Sequence, residues 1–498
     1  MRFSYVKGGT MADTRKVIPD YRYPTLDLYI DGEFRAATGG ASSDVIDPAT
    51  EQCLGVLRHA SSDDVAMALE AAARGFPKWR AQPALERARR LRRVADLIRA
   101  GGETLAMTIT LELGKPWAES LVEVQTAAEM FEWAAEEAVR SYGRVIPPRE
   151  ANGFQYARLE PIGPVAAFSG WNAPAITPSR KISGALAAGC SIVIKPSEET
   201  PGVALFIARA VQEAGIPPGV VNMVFGDPAS IAAQLIDSPH TKMVTFTGAT
   251  SVGREIGERA ARGMKRATLE LGGHAPVLVF DDCDAMQVAQ MAVSTKFRNS
   301  GQVCTSPTRF YVQRSCYDAF AERFVGLAKG WVVGNGLDPG TQMGPLKNAR
   351  RLRAIESMVD DARRHGASVL AGGERLDRPG FFYRPTVLAD VDPAAQAATT
   401  EPFGPLALIQ PFDDLEEGLA LANALPFGLA AYAFTGSLAR ANALAEGIES
   451  GVVCINEWRV SLPETPFGGV KDSGLGLEGG IEGIREFQRV KCVRTRAA

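Results

Sequence analysis

After Ser62-Asp63 the apolar positions Val65, Ala68, Leu69 and Ala72 recur at steps of three and four, and Leu91, Val94, Ala95 and Ile98 repeat the spacing, which predicts two amphipathic helices. A third helix is predicted from about Trp117 to Val139, closing a helical block before Ser141-Tyr142-Gly143. The preceding stretch, Leu28 to Leu57, has short apolar runs broken by Asp31-Gly32, Gly39-Gly40 and Asp47-Pro48, the pattern of strands and turns. From Gly163 to Gly273 the period itself alternates. Strands are predicted at 165–168, 191–195, 220–225, 243–246 and 266–271, and helices at 202–214, near Ile231 and at 251–262. Such alternation predicts a parallel sheet wound with helices, whose ligands sit beyond the carboxyl ends of the strands.

A second alternating unit runs from His274 to about Lys471, with strands at 277–280, 309–312, 431–434 and 452–456 and helices at 285–297, after Tyr317 and at 438–448. The expected fold is therefore α/β, with two such domains and a cleft between them. Residues 143–160 carry Pro147-Pro148 and then alternating Phe154, Tyr156 and Leu159, which reads as a strand projecting from the body, and Glu486 to Arg494 reads as a second. An ordinary edge strand fits these residues equally well.

Composition narrows the class. The 498 residues are 46% hydrophobic and 22% charged, enough for two or more cores. A net charge of -3 and a pI near 6.0 leave no electrostatic footprint for nucleic acid or an anionic membrane. The first ten residues lack the apolar stretch of a signal peptide, and no apolar run is long enough to span a bilayer, so the expected location is the cytoplasm. Residues 1 to about 20 read as a loose leader, with Met11 an alternative start. Seven scattered cysteines, no Cys-x-x-Cys pair and four histidines predict reduced thiols and no metal site. The arginines from Arg87 to Arg93 fall between the apolar positions of a helix and read as a solvated face.

Candidate chemistry centres on Lys296 to Cys304. Asn299-Ser300-Gly301-Gln302 must bend sharply before Cys304, which exposes the sulfur and can aim backbone N–H groups at it. A lone cysteine is more often an inert small hydrophobe, so the reading depends on partners. Glu270, at the end of an apolar strand and just before Gly272-Gly273, is either a base or a salt-bridged surface acid. Asn172, in Trp171-Asn172-Ala173-Pro174, is either an oxyanion donor beside the N–H of Cys304 or the cap of a turn. Cys190, Cys316, Cys454 and His274 read as structural. No Gly-x-Gly-x-x-Gly follows a strand; Gly248 and Gly253 instead flank the start of a helix, either to let its N-terminus approach a phosphate or to pack it on the sheet.

In order, Trp171-Asn172-x-Pro174, Lys195-Pro196-Ser197-Glu198, Phe246-Thr247-Gly248, Leu269-Glu270-Leu271-Gly272-Gly273, Gly301-Gln302-x-Cys304, Glu401-Pro402-Phe403-Gly404-Pro405 and Pro466-Phe467-Gly468-Gly469 resemble the motifs of the aldehyde dehydrogenase superfamily. The resemblance runs from about Tyr29 to Val493 and is greatest to succinate-semialdehyde dehydrogenases. It implies two Rossmann-type parallel-sheet domains plus a bridging β-arm. Residues 21–142 and 161–272 would bind NAD, 273–471 would carry catalysis, and 143–160 with 472–498 would pair across the subunits of a homodimer or homotetramer. Lys195 and Glu198 would hold the adenosine ribose and Gly226 would flank the adenine. Ser169, Trp171, Phe246, Gly248 and Gly253 would complete that site, with Glu401 and Phe403 at the nicotinamide ribose and ring. A carboxylate at 198 repels a 2′-phosphate, which favours NAD over NADP. Ala249 stands where many relatives carry serine, so a hydroxyl contact to the pyrophosphate is missing.

The resemblance also implies a reaction. Cys304 would form a thiohemiacetal with an aldehyde, Asn172 and the Cys304 N–H would hold its oxyanion, hydride would pass to NAD, and Glu270 would activate water against the thioester. Glu478 would relay a proton, although Leu477 replaces the arginine common in that motif. Glu270 favours release of a free acid over transfer to coenzyme A. Arg180, Arg298 and Ser461 stand where succinate-semialdehyde dehydrogenases hold a distal carboxylate, a group arginine suits; either arginine could instead pair with a structural acid. The expected substrate is a short ω-carboxy semialdehyde such as succinate semialdehyde. Alternatives are glutarate semialdehyde, an aromatic-ring-cleavage product, an aromatic or other uncharged aldehyde, and, in a different class, a catalytically silent binding protein. Ser306 replaces the second thiol of the disulfide switch known in some such enzymes, so no switch is expected.

Overall fold

Two sheets with parallel centres, each covered by helices, organise the described residues, which are residue 18 and residues 21–496 of the computed structural model. The expected leader, Met11 included, lies outside the described residues except for Ile18. The first sheet runs Glu33–Arg35, Leu28–Ile30, Val221–Met223, Ile192–Lys195, Val165–Phe168, Met243–Thr247, Arg266–Glu270, Gly474–Leu475. Its inner strands are parallel, and Val165–Phe168 and Ile192–Lys195 are buried throughout, as continuous apolar runs must be when helices cover both faces. The edges depart from the all-parallel expectation. Leu28–Ile30 and Gly474–Leu475 add antiparallel, and such short terminal strands close an edge that would otherwise be open to another chain.

The second sheet runs Ser368–Ala371, Thr386–Ala389, Leu406–Phe412, Pro307–Gln313, Ala275–Val279, Ala430–Phe434, Val452–Ile455, parallel except for its first strand. Several of its parts were not anticipated, among them Thr386–Ala389, Leu406–Phe412 and the helix Ala349–Arg364. The helical block holds four helices rather than three: Ser62–Arg80, Ala84–Ala100, Gly102–Leu113 and Trp117–Ala138. Gly102–Leu113 escapes a periodicity reading because Leu105, Ala106, Met107, Thr108 and Ile109 are all buried, which leaves no polar face. Ile176–Ala188 is hidden for the same reason, and its Pro178 sits in the first turn, where no intrahelical bond is lost.

Residues Gly153–Pro161 pair antiparallel with Gln488–Arg496 along their whole length and with Arg144–Ile146 on the other side, so the projecting segment is a three-stranded sheet. The C-terminal segment from 472 divides: Gly474–Leu475 belongs to the first sheet, and Ile484 and Phe487 are in its core before the chain joins the arm. Among the described residues, no helix is long and apolar enough to cross a membrane.

Lys195, Phe168, Thr247 and Glu270 end four adjacent parallel strands, so Glu198, Asn172, Gly248 and Glu270 emerge on one edge. Cys304 follows the helix Ala285–Phe297, which Phe297 anchors against Phe324 and Trp331 at centroid distances of 6.2 and 6.4 Å. Phe297→Ala is expected to lower the unfolding free energy by about 3–5 kcal/mol, read as a fall in the urea midpoint; an unmoved midpoint would mean that the helix end is not anchored there.

Candidate active site

Asn299, Ser300 and Gly301 are all left-handed, at φ 49°, 56° and 70°. For the two residues with a Cβ this costs roughly 1–2 kcal/mol each, and surrounding bonds enforce it. The Asn299 N–H donates to Glu119 Oε2 (2.9 Å), and its side-chain amide donates to the carbonyls of Asn172 (2.9 Å) and Gln302 (3.1 Å). Ser300 Oγ donates to the carbonyls of Gly344 (2.8 Å) and Pro345 (3.1 Å). Gly301 is required by space as well as by φ, since a Cβ there would lie 2.1 Å from the Gly404 carbonyl oxygen. Gln302 Oε1 accepts the Lys347 N–H (2.9 Å), and the Lys347 ammonium reaches into the first domain to bond the carbonyls of Ile46 and Glu112.

The sharp turn delivers Cys304 into an enclosed, acidic neighbourhood. Burial, then Glu401 and Glu270, push its thiol up to about 12, against the pull of Arg180 and of its own backbone N–H. Glu270 is buried, and neither carboxylate oxygen has a hydrogen-bond partner. Burial first and Glu478 second hold its pKa well above the usual carboxylate range, while Lys181 and Arg180 oppose this. The surface-salt-bridge alternative for Glu270 does not hold. Glu478 is paired, with Lys181 Nζ at 2.5 Å and Arg180 Nη1 at 3.8 Å, and it accepts from Thr245 Oγ1 at 3.2 Å. Asn172 donates its side-chain amide to the Gln302 carbonyl (3.2 Å), so it touches the nucleophile loop itself. Cys304, Glu270, Asn172 and Glu478 thus converge.

Arg180 and Ser461 also meet: Arg180 Nη2 donates to Ser461 Oγ (2.6 Å), and its guanidinium lies 4.9 Å from the Phe467 ring centroid. Arg298 is exposed; its backbone N–H donates to the Ser294 carbonyl, and its side chain makes no hydrogen bond or ion pair among the described residues, although Glu119 and Tyr432 feel its charge. Tyr432 donates its hydroxyl to the Thr305 carbonyl (2.7 Å), one residue beyond the cysteine, and Trp458 packs on both Tyr432 (5.1 Å) and Phe434 (4.6 Å). Sequence reasoning missed this aromatic wall, because Tyr432 and Phe434 look like ordinary strand core. It missed Lys181 and Glu119 too. Lys181 left a signal, a charge at an apolar helical position, and Glu119 left none.

The expected cofactor residues divide into two ends. A cavity of about 550 Å³ is lined by Ser169, Lys195, Glu198, Phe246 and Gly248, with Pro228 and Val252 across it. Lys195 Nζ pairs with Glu198 Oε2 at 2.5 Å. The cavity reaches the N-terminus of Thr250–Arg262, whose cap residue Ala249 makes no side-chain bond, so first-turn N–H groups are left for a ligand. A nucleoside with its phosphate fits this combination. Gly253, by contrast, packs on Leu271, where a Cβ would come within 2.2 Å, so it serves helix-to-sheet contact. Gly226 does not line the cavity; its φ of 142° seats it against His59. At the other end Glu401 Oε1 accepts the Gly273 N–H (3.1 Å), and Phe403 meets Trp171 edge-on at 5.4 Å. His274 uses both ring nitrogens, to Thr308 Oγ1 (2.6 Å) and the Ala397 carbonyl (3.0 Å), and burial pushes it down to about 3.

Comparison with known proteins places this geometry. The model of the aldehyde dehydrogenase family matches residues 34–493. The 4-(hydroxymethyl)benzenesulfonate dehydrogenase of Comamonas testosteroni is 46% identical over 95% of this chain and 98% of its own. The succinate-semialdehyde dehydrogenase (NADP+) of Escherichia coli strain K12 is 41% identical over 93% and 96%. The crystal structure of succinate-semialdehyde dehydrogenase from Burkholderia pseudomallei superposes with a TM-score of 0.93 at 42% identity, covering 95% of this chain and 98% of that one.

Glu270 binds a proton in the folded chain that it has released in the unfolded chain between the ordinary carboxylate pKa and its own raised value, so folding stability falls as pH rises through that window. Glu270→Gln removes this term. The variant is expected to melt above the wild type at about pH 8 and close to it at about pH 4, measured by thermal unfolding; a variant that melts lower at pH 8 would show that the carboxylate is stabilising.

Proposed function

We propose, from the premise that this chain belongs to the aldehyde dehydrogenase family, that it oxidises an aldehyde bearing a distal anion to the carboxylic acid through a covalent intermediate on Cys304. The convergence of a buried, unpartnered Glu270 with Cys304 and Asn172 supports this reading best. The sulfur attacks the carbonyl carbon, its proton passes to the Glu270 carboxylate, and the amide of Asn172 and the N–H of Cys304 stabilise the oxyanion. NAD, when bound, supplies the hydride acceptor. Glu270, cleared of its proton toward the Glu478 carboxylate, then takes a proton from the water that hydrolyses the thioester. Lys195 and Glu198 would hold the adenosine ribose, with the carboxylate disfavouring a 2′-phosphate, and Glu401 and Phe403 would bound the nicotinamide end. NAD is therefore favoured over NADP, although a relative's name specifies NADP+.

A distal anion is common to the compounds named in two of the relatives, carboxylate in succinate semialdehyde and sulfonate in 4-(hydroxymethyl)benzenesulfonate. Arg180 with Ser461, and the unpaired Arg298, are the groups in this chain that suit it. A short ω-carboxy semialdehyde such as succinate semialdehyde is the first reading. The half-buried Trp458, packed on Tyr432 whose hydroxyl bonds the nucleophile loop, favours a second, an aromatic aldehyde with an anionic ring substituent. The arm exposes Val145, Phe154 and Val490 and would dock on a second copy, giving a homodimer or homotetramer.

Initial rates of NADH formation with succinate semialdehyde, 4-sulfobenzaldehyde, butanal and benzaldehyde test the class. An anionic aldehyde is expected to exceed its uncharged counterpart by more than about tenfold in kcat/KM, worth about 1.4 kcal/mol. Arg180→Ala and Arg298→Ala should raise KM for the anionic substrates only, while the loss of Arg180 beside Glu270 and Cys304 changes kcat for charged and uncharged substrates alike; an equal rise in KM for butanal would contradict the anion clamp. Glu198→Ser should improve use of NADP relative to NAD, and an unchanged ratio would remove Glu198 from cofactor choice.

A further inference from the structure

Two carboxylates one helical turn apart on Trp117–Ala138 reach two different loops. Glu119 Oε2 accepts the N–H of Asn299, in the left-handed turn before Cys304. Glu123 Oε1 accepts the N–H of Ala175 (2.9 Å), at the end of the loop that carries Asn172, while its other oxygen pairs with the buried Lys115. The loops come from different sheets, and among the described residues the hydrogen bonds between them run through Asn172, Asn299 and the Gln302 carbonyl. Side chains at positions i and i+4 share a helix face, so the spacing between the two carboxylates is set by a rigid element.

We infer that Glu119 and Glu123 are positioning residues that use this helix to hold the Cys304 loop and the Asn172 loop at a fixed separation. A charged acceptor on a backbone N–H is among the stronger hydrogen bonds, and both carboxylates act on the main chain of the loop rather than on a replaceable side chain. Neither touches the reacting atoms. The carboxylate of Glu119 secures the attacking group, and that of Glu123 secures the oxyanion donor, so the two separate in their effects. This inference rests on the assignment of Cys304 as nucleophile and Asn172 as oxyanion donor.

The test uses the full-length protein, butanal as an uncharged substrate so that Arg298 plays no part, and two readouts: turnover, and alkylation of Cys304 by iodoacetamide followed by peptide mass spectrometry. Glu119→Ala is expected to lower both by about tenfold or more, and Glu119→Gln, which keeps an acceptor oxygen, to restore both. Lys115→Met with Glu123→Ala avoids an unpaired buried ammonium. That pair should lower turnover by about tenfold yet leave alkylation within about twofold of wild type; Lys115→Met with Glu123→Gln should recover turnover. If Glu119→Ala does not fold, Glu119→Met fills the volume without an acceptor. Equal losses in both readouts for both sites, or losses that the glutamine variants do not recover, would overturn the inference. A Cys304→Ala enzyme that still turns over would instead overturn the assignment beneath it.

Discussion

Everything at the candidate site depends on one strained turn. Asn299, Ser300 and Gly301 lie together in left-handed backbone, a conformation that L-residues avoid, and it persists because partners from three parts of the chain over-determine it. Glu119 takes a backbone N–H, Asn172 a side-chain amide, and the segment Gly344–Pro345 the Ser300 hydroxyl. Lys347 adds a strut to the first domain through Gln302. The result is a sulfur at the end of a fixed bend, beside the carboxyl edge of the first sheet.

That placement puts charge where water is scarce. Glu270 has no partner, Cys304 is pushed up by burial and by two nearby carboxylates, and Arg180, Lys181 and Glu478 form the balancing network behind them. An uncompensated buried acid is costly in a folded protein, and a cost of this kind concentrates where proton transfer is the purpose. Arg180 belongs to both sides of the site: it moderates Glu270 and Cys304, and it is bonded to Ser461.

Much of this was legible in the sequence, for physical reasons. Strands such as Val165–Phe168 and helices such as Ala285–Phe297 announce themselves by period and capping, and the sharp bend before Cys304 follows from Asn-Ser-Gly. Two helices, Gly102–Leu113 and Ile176–Ala188, stayed hidden because burial on all sides erases the pattern. Gly253 left two readings open in the sequence, phosphate approach and packing, and the fold shows the packing contact, since only folding brings Leu271 against it. Residues that act through backbone, such as Glu119 and Lys347, leave no spacing to read, because their partners are more than 40 positions away.

The central claim is that Cys304 carries the substrate and Glu270 releases it. It is tested most directly by mixing Glu270→Gln enzyme with an aldehyde substrate and NAD and examining the peptides by mass spectrometry. The account predicts an acyl adduct on the Cys304 peptide that forms more slowly than on wild-type enzyme, because Glu270 also takes the thiol proton, and that outlasts the wild-type adduct once formed. A Cys304 peptide that stays unmodified while product still forms at the wild-type rate would contradict it.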